Sequence, residues 1–404
     1  MTRTSATERS TAVGVDRHQM QVLRQGCPTE AVVVDLLSAR GRVLAEDIQS
    51  PGDLPRFDNA AMDGYAVRAT DLILGRTTLP VSGDLPAGSA VGHRLEPGTA
   101  VRIMTGAPLP WGADTVVQVE WTDAGTTAVD IHRLPELGSN IRRQAQEVQA
   151  GAAVLNKGSL LTPARLGLLA ALGVKQVRVH RAPRVAVLTA GSELISPGEP
   201  SRDGGVYNAN ASLLAALIDA DGADTTVLPC LPDDAERVLN CLLFAAETHD
   251  VVVTAGGISA GAYEVVRQAL ERLGTVSFYR VAMTPGSPQG HGKILATPVL
   301  ALPGNPTAAL VSYLVFGRPL LRLARGLTLP SKTQRVVLAA PLAARRDVTR
   351  FVPAALDLHG VVPRAVPLGG SHRLTSFINA DALLRIDPDE ECMPTGTEVT
   401  AVLL

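Results

Sequence analysis

A chain of 404 residues, 46% hydrophobic and 19% charged, has the composition of an ordinary globular protein and room for two to four domains. Thirty-seven Lys and Arg against 39 Asp and Glu leave a net charge of -2, so no global positive field favours nucleic acid or anionic lipid. Aromatic residues at 3% remove the stacking surfaces that single-stranded nucleic acid needs, which leaves a small molecule or another protein as the expected partner, with no nucleic acid and no membrane.

Residues 1 to 12 are polar and lack the apolar core of a signal peptide, and no apolar run approaches the ~20 residues of a membrane span, which predicts a cytoplasmic protein. VDRHQMQVLRQ and TEAVVVDLLSARGRVLAEDI carry apolar residues at three- and four-residue intervals and predict short amphipathic helices ending at Ser50-Pro51-Gly52. From there to about Arg143, short strand-like runs broken by Gly and Pro predict a β-rich domain. LLTPARLGLLAALGV returns to helix, with Thr162 as N-cap and Pro163 at the first helical position. It pairs with the opening helices as one domain from which the β-rich segment protrudes.

From Arg184 to about Gly326, the strands RVAVLTA, DTTVLPC, DVVVTAG and VLALPG alternate with four helical stretches, the pattern of a doubly wound α/β domain. After LPSKT the texture is again β, enough for a small barrel or sandwich. Cys27, Cys230, Cys241 and Cys392 show no C-x-x-C spacing and are expected as buried thiols in a reducing compartment.

Ligands of such sheets sit beyond the carboxyl ends of the strands. The loops there, TAGSELISPG, GGVYNAN, TAGGISAGAYE, VAMTPGSPQGHG and LPGNPT, supply glycines and the polar side chains Glu193, Asn208, Ser259, Glu264, Thr284, Ser287 and Asn305. PGNPT predicts a helix start capped by Asn305, with later N–H groups facing the pocket. VAMTPGSPQGHG, residues 281 to 292, reads as a stiff, bare-backbone loop that an anion can approach, yet it holds no Lys or Arg. GISAG matches the G-x-S-x-G nucleophile elbow, which makes a serine hydrolase a rival reading, with Asp347 and His372 or Glu264 and His291 as partners of Ser259. In the β-rich stretch, Asp58, Asn59 and Asp63 cluster in a turn, Thr105 lies in another, and Arg142 and Arg143 followed by Glu147 suit either an oxyanion grip or a solvated charge pair.

FDNAAMDGYAVR, GTAVRIMTGAPLPWGADTVV, NIRR, RVAVLTAGSEL, TAGGISAGAYE, VAMTPGSP, LPGNPTAAL and GGSHRLTSF, in that order, resemble the molybdopterin molybdenumtransferase family, which includes the carboxy-terminal enzyme domain of gephyrin. The resemblance implies four domains: a helical domain I split into 13–50 and 143–180, a β-rich domain II inserted at 51–142, a doubly wound molybdopterin-binding domain III at 181–328, and a small β-barrel domain IV at 329–404. It implies a homodimer whose active site lies between domain III of one chain and domain II of the other. The implied reaction inserts molybdate into adenylated molybdopterin, with loss of AMP and with Mg²⁺ as cofactor.

Carried over residue by residue, the resemblance implies Asp63, Thr105, Glu193 and Glu264 as catalytic residues, the three carboxylates also handling Mg²⁺. Substrate contacts fall to Arg142, Asn208, Gly256, Gly257, Ser259 and Arg280, to Thr284, Ser287, Pro303 and Asn305, and in the last domain to Ser371 and Ser376. Several positions depart from the family. Ser192 and Asn208 stand where it has acids, Ala262 and Glu264 replace its G-D-Y-D pair, Glu147 follows Gln146, and Thr284 and Ser287 replace lysines. A charge-assisted hydrogen bond is worth about 1.5–3 kcal/mol, so two lost lysines weaken anion binding unless Arg280, His291 or Lys293 substitutes. The alternative to a working transferase is therefore an impaired paralogue that binds molybdopterin or a partner protein.

Overall fold

The computed structural model describes residues 12–72, 77–231, 234–259, 264–328, 333–370, 372–388 and 392–404. The expected α/β alternation is present between Arg184 and Ala324. Parallel strands Asp224–Val227, Arg184–Thr189, Val251–Ala255 and Thr297–Leu302 lie side by side in that order, and Pro288–Ile294 and Val276–Arg280 extend the sheet antiparallel. The strands read as almost unbroken Val, Leu and Ala because both faces are covered. Val185, Val187 and Val253 pack against Leu214 and Ile218 of helix Ala209–Ala220 and against helix Pro306–Ala324. Ala186, Leu188 and Val252 face the other way, against helices Ala235–Thr248 and Val265–Leu273.

Stretch 281–292 departs from the loop expected of it. Met283–Thr284 pairs in parallel with Thr349–Arg350, and Pro288–Ile294 is a full strand of the sheet. Gly292 serves close strand packing rather than a bare anion loop, since a Cβ there would stand 2.1 Å from Thr275 O.

The segment from 29 to 48, expected as amphipathic helix, is strand Ala31–Asp35, a 3₁₀ turn Leu36–Ala39 and strand Val43–Leu44. The β-branched run Val32-Val33-Val34 suits a strand, and it pairs antiparallel with Gln176–His180. These strands enclose a core with helix Pro163–Ala171, whose Thr162 cap accepts from Arg165 N. The one helix found before them, Val15–Leu23, instead buries Val15 and Val22 in the doubly wound core.

Between these pieces, strands Thr115–Gln118, Gly64–Val67, Ala100–Ile103, Thr77–Leu85 and Ala128–Ile131 form one sheet with an apolar cluster on each face. At the C-terminal end, strands Thr349–Asp357, Arg364–Pro367, Thr333–Leu338, Glu398–Leu403 and Ala382–Ile386 follow one another, and pairing of the last with the first closes a five-stranded barrel.

Two compositional expectations are corrected. All four cysteines are exposed; Cys230 and Cys392 lie in or beside loops, and Cys241 sits on the outer face of its helix, where packing does not claim it. Helix Pro306–Ala324 has the length and apolarity of a membrane span, but 78% of that window is buried inside the molecule, so its apolarity belongs to the core.

Candidate functional site

Loops leaving the parallel strands converge at one sheet edge. A cleft of about 360 Å³ is lined there by Glu193 and Glu264, by Gly256, Gly257 and Ser259, and by Pro303 and Asn305; an adjoining 540 Å³ recess shares both glutamates. The convergence depends on backbone contact. Gly256 has φ +93°, a Cβ on it would lie 2.6 Å from Ala190 O, and Gly304 packs against its Cα. Glu264 occupies the N-cap position of helix Val265–Leu273 but makes no side-chain cap, so its carboxylate remains available to the cleft. Glu193 likewise accepts no side-chain hydrogen bond among the described residues.

Asn208 and Asn305 are accounted for by capping. Asn208 accepts from Ala211 N and donates Nδ2 to Thr189 Oγ1 at 2.8 Å. Asn305 accepts from Thr307 N, Thr307 Oγ1 and Ala308 N, so the amides expected to face the pocket are already engaged. The residue that the sequence reading missed is Asn210. It lines the cleft, is 6% exposed, and fixes Nδ2 on Gly304 O at 2.7 Å, which leaves Oδ1 buried without a partner. Its position two residues after Asn208, on the same strand exit, was the available signal.

Across Ile258, Ser259 and Pro288 the edge opens into a second cavity of about 490 Å³ that holds Arg267, Arg280 and Ser287. Ser287 donates its hydroxyl to Val281 O at 3.0 Å. Thr284 is half-buried in the strand pair with Thr349–Arg350 and lines neither cavity. Of the cations proposed to replace the missing lysines, only Arg280 is in place. His291 is 5% exposed, neither ring nitrogen has a hydrogen-bond partner, and burial pushes its pKa down, so it is neutral. Lys293 stands at the far end of the strand from Pro288, about 17 Å along it. The same burial takes His291 out of any triad with Ser259 and Glu264; residues 260–263, including Ala262 and the end of the GISAG elbow, lie outside the described residues.

The β-rich sheet carries the third group. Asp63 accepts from both Thr105 N and Thr105 Oγ1 at 2.7 Å, and those two bonds hold its carboxyl below the usual aspartate range. Arg143 forms an ion pair with Asp58 at 2.7 Å, which settles it as the structural member of the adjacent arginines. Arg142, exposed on the short strand opposite Asn59, has no such partner among the described residues. Among the described residues, Asp63, Thr105 and Arg142 line neither of the two cavities that hold Glu193 and Glu264. Ser376 donates to Gly370 O in the C-terminal barrel, away from the sheet-edge cleft, and Ser371 lies outside the described residues.

A doubly wound domain with an acid-lined cleft at its carboxyl edge, flanked by a β-rich sheet and a closed barrel, defines a class of multidomain α/β proteins that handle a ligand at that edge. Residues 13–173 match the model of the MoeA N-terminal region (domain I and II), 186–323 that of the probable molybdopterin binding domain, and 335–404 that of the MoeA C-terminal region (domain IV). The chain belongs to this family, the MoeA or molybdopterin molybdenumtransferase family, as its motifs implied. It is 43% identical to molybdopterin molybdenumtransferase 2 of Mycobacterium tuberculosis over 397 residues, covering 95% of this chain and 98% of that protein. It is 33% identical to molybdopterin molybdenumtransferase of Haemophilus influenzae, covering 96% and 97%. The crystal structure of the molybdopterin biosynthesis MoeA protein from Pyrococcus horikoshii matches with a TM-score of 0.80 at 32% identity, covering 97% of this chain and 99% of that one.

Proposed function

We propose that this protein is a molybdopterin molybdenumtransferase, inserting molybdate into adenylated molybdopterin with release of AMP, and that it works in the cytoplasm as a homodimer. The observation that carries the reading is the placement of Glu193 and Glu264 in one sheet-edge cleft of a chain that matches relatives bearing the transferase name over nearly their whole length.

The donor set suits Mg²⁺. Glu193, Glu264 and the unpartnered Oδ1 of Asn210 are hard oxygen ligands around one cleft. Among the described residues no group of three or more His, Cys, Asp or Glu forms a cage, so the ion's remaining ligands would have to be water and substrate phosphate. When bound, Mg²⁺ supplies charge neutralisation at the phosphoanhydride that is broken as AMP leaves. The chain's own part would be to hold that ion on Glu193 and Glu264, to seat the phosphate against the wall formed by Gly256 and Gly257, and to leave Ser259 at the passage to the second cavity.

Asp63 completes the site in this reading from the partner subunit. It is exposed, oriented by Thr105, and does not line the cavities that hold the glutamates of its own chain among the described residues. Arg142 reaches the substrate from the same lobe.

The test is to incubate the purified protein with adenylated molybdopterin, Mg²⁺ and molybdate and to follow AMP release and cofactor formation. Turnover that requires both Mg²⁺ and molybdate is expected; a folded protein that releases no AMP overturns the reading. Mixed dimers of Asp63→Asn and Glu193→Gln chains should regain about a quarter to a half of wild-type activity if the site is shared between subunits, and none if each site is built by one chain.

A further inference from the structure

The cavity between helix Val265–Leu273 and strand Val276–Arg280 holds Ser259, Arg280 and Ser287, which the motifs imply as substrate contacts, and one cation that neither the motifs nor the comparisons assign, Arg267. Among the described residues its lining includes two arginines, Arg267 and Arg280, and no Asp or Glu. Its volume of about 490 Å³ is that of a small-ligand site. Deepening the functional reading above and resting on it, we propose that this cavity is a tetrahedral-oxyanion site in which Arg267, one turn into its helix, supplies with Arg280 the positive charge that stretch 281–292 lacks.

Arg267 is already aimed. Its Nε donates to Glu271 Oε1 at 2.8 Å, one helical turn on, and its guanidinium carbon stands 5.2 Å from the centre of the Phe278 ring, another wall of the cavity. Those contacts use Nε and one face of the group and leave both terminal nitrogens for a ligand. Two terminal nitrogens are the geometry that grips two oxygens of one oxyanion. An exposed i,i+4 ion pair by itself contributes only about 0.3–0.5 kcal/mol, so stabilising the helix is a weak reason for Arg267 to be there. Arg280 is exposed and has no carboxylate within ion-pair distance among the described residues.

The other polar liners narrow the assignment. Gln289 is 1% exposed and spends its amide nitrogen on Gly286 O and Ser312 Oγ, and Ser287 donates to Val281 O. Charge reading therefore falls to the arginines, with Ser259 as the hydroxyl at the boundary. Because Ile258, Ser259 and Pro288 also wall the cleft of Glu193 and Glu264, cationic and anionic chambers adjoin. One ligand can then present an oxyanion to the arginines and a phosphate to the chamber of the glutamates, which would hold it with the help of Mg²⁺. The oxyanion is either free molybdate or a phosphate of the nucleotide, two sources of one chemistry.

Isothermal titration of the full chain with sodium molybdate, inorganic phosphate and AMP in separate arms tests the assignment. Arg267→Gln and Arg280→Gln should each weaken binding of the preferred anion about tenfold or more, while Arg272→Gln, on the same helix but outside the cavity, should stay within about twofold. Whichever arm shows the loss names the source. Binding unchanged in Arg267→Gln, or no binding of any of the three anions to the wild type, overturns the proposal. Should Arg267→Gln fail to fold, Arg267→Lys decides: it keeps the charge and loses the two-pronged grip, so a loss of about threefold or more supports the site and parity overturns it. The outcomes separate from those of the functional reading. Arg267-dependent molybdate binding without turnover sinks the reading and keeps the site, whereas full turnover by Arg267→Gln at an unchanged KM for molybdate does the reverse.

Discussion

Asp63 and the pair Glu193 and Glu264 are carboxylates held in opposite ways. Asp63 takes two hydrogen bonds from Thr105, one from the backbone and one from the side chain, and its charge is pinned in one orientation. Glu193 and Glu264 line a cleft and accept no side-chain hydrogen bond among the described residues. A locked carboxylate positions or recognises. An unengaged one at a sheet edge is open to an incoming ligand, and on that difference the reading proposed above gives metal handling to the glutamates and orientation to the aspartate.

The sharpest way to break that comparison is to neutralise one unengaged carboxylate. Glu193→Gln should lower the rate of AMP release about a hundredfold or more with the fold unchanged by circular dichroism, and higher Mg²⁺ should recover part of the loss. A rate within a few fold of wild type would show that the cleft does not hold the ion. At Asp63, Thr105→Val removes the side-chain bond and keeps the backbone one, so a smaller loss, about three- to tenfold, is expected. The Asp63 carboxyl, held low by both bonds, should then titrate closer to the ordinary aspartate value, as ¹³C NMR of the side chain would read. Because its wild-type pKa is depressed, Asp63 stays charged as pH falls to the ordinary aspartate range, and no acid limb of the rate profile above that range belongs to it.

How much of this was legible depended on whether the signal was local. The doubly wound sheet was, because strands buried on both faces spell themselves as Val, Leu and Ala runs between Gly-rich exits, and the exits carried Glu193, Glu264 and Ser259 to one edge. Val32-Val33-Val34 was not, because an apolar triplet within three- and four-residue spacing satisfies a helix pattern until Gln176–His180 arrives to pair with it. The 281–292 stretch misled for the opposite reason. Its prolines and glycines read as loop, while Gly292 is there to let a strand approach Thr275. Arg267 carried no signal of its own, since only the packing of its helix against Phe278 turns a surface i,i+4 arginine toward a cavity. Asn305 is the cap its sequence context announced, and the cap itself uses the amides of Thr307 and Ala308 that were expected to face the pocket.

Unpartnered groups also differ according to whether water reaches them, which extends the comparison to the histidines. His18 is 1% exposed, touches the rings of Tyr279, His291 and Phe316, and has Nδ1 without a partner. Burial, with a smaller push from His291, lowers its pKa from 6.5 to about 3. The unfolded chain therefore takes up a proton near pH 6.5 that the folded chain refuses until near pH 3. Stability should be flat above pH 6.5 and fall below it by about 1.4 kcal/mol per pH unit for this one histidine, or about 2 kcal/mol by pH 5. Urea midpoints at pH 5 and pH 7 read that slope, and His18→Leu should remove its share. An unchanged slope in the variant would place the acid sensitivity elsewhere.

Asp221 is the third kind of carboxylate, locked and also largely buried, and it yields the smallest predicted effect. Tyr313, 1% exposed, donates its hydroxyl to Asp221 Oδ2 at 2.7 Å, and Arg318 Nε donates to the same oxygen at 2.9 Å. Burial first, and the neighbouring carboxylate second, push the Tyr313 hydroxyl well above the ordinary tyrosine range, so it remains a donor at every working pH. Tyr313→Phe removes one of two donors but leaves the charge of Asp221 paired with Arg318, so its cost should stop at about 1–1.5 kcal/mol in the urea midpoint, without the larger penalty of an uncompensated buried ion. Asp221 sits between helix Ala209–Ala220 and strand Asp224–Val227, at the starting edge of the sheet and opposite the cleft. The rate of AMP release at 25 °C should therefore not change. If it fell with stability, the locked carboxylate at the starting edge would be coupled to the unengaged pair at the carboxyl edge, through the sheet.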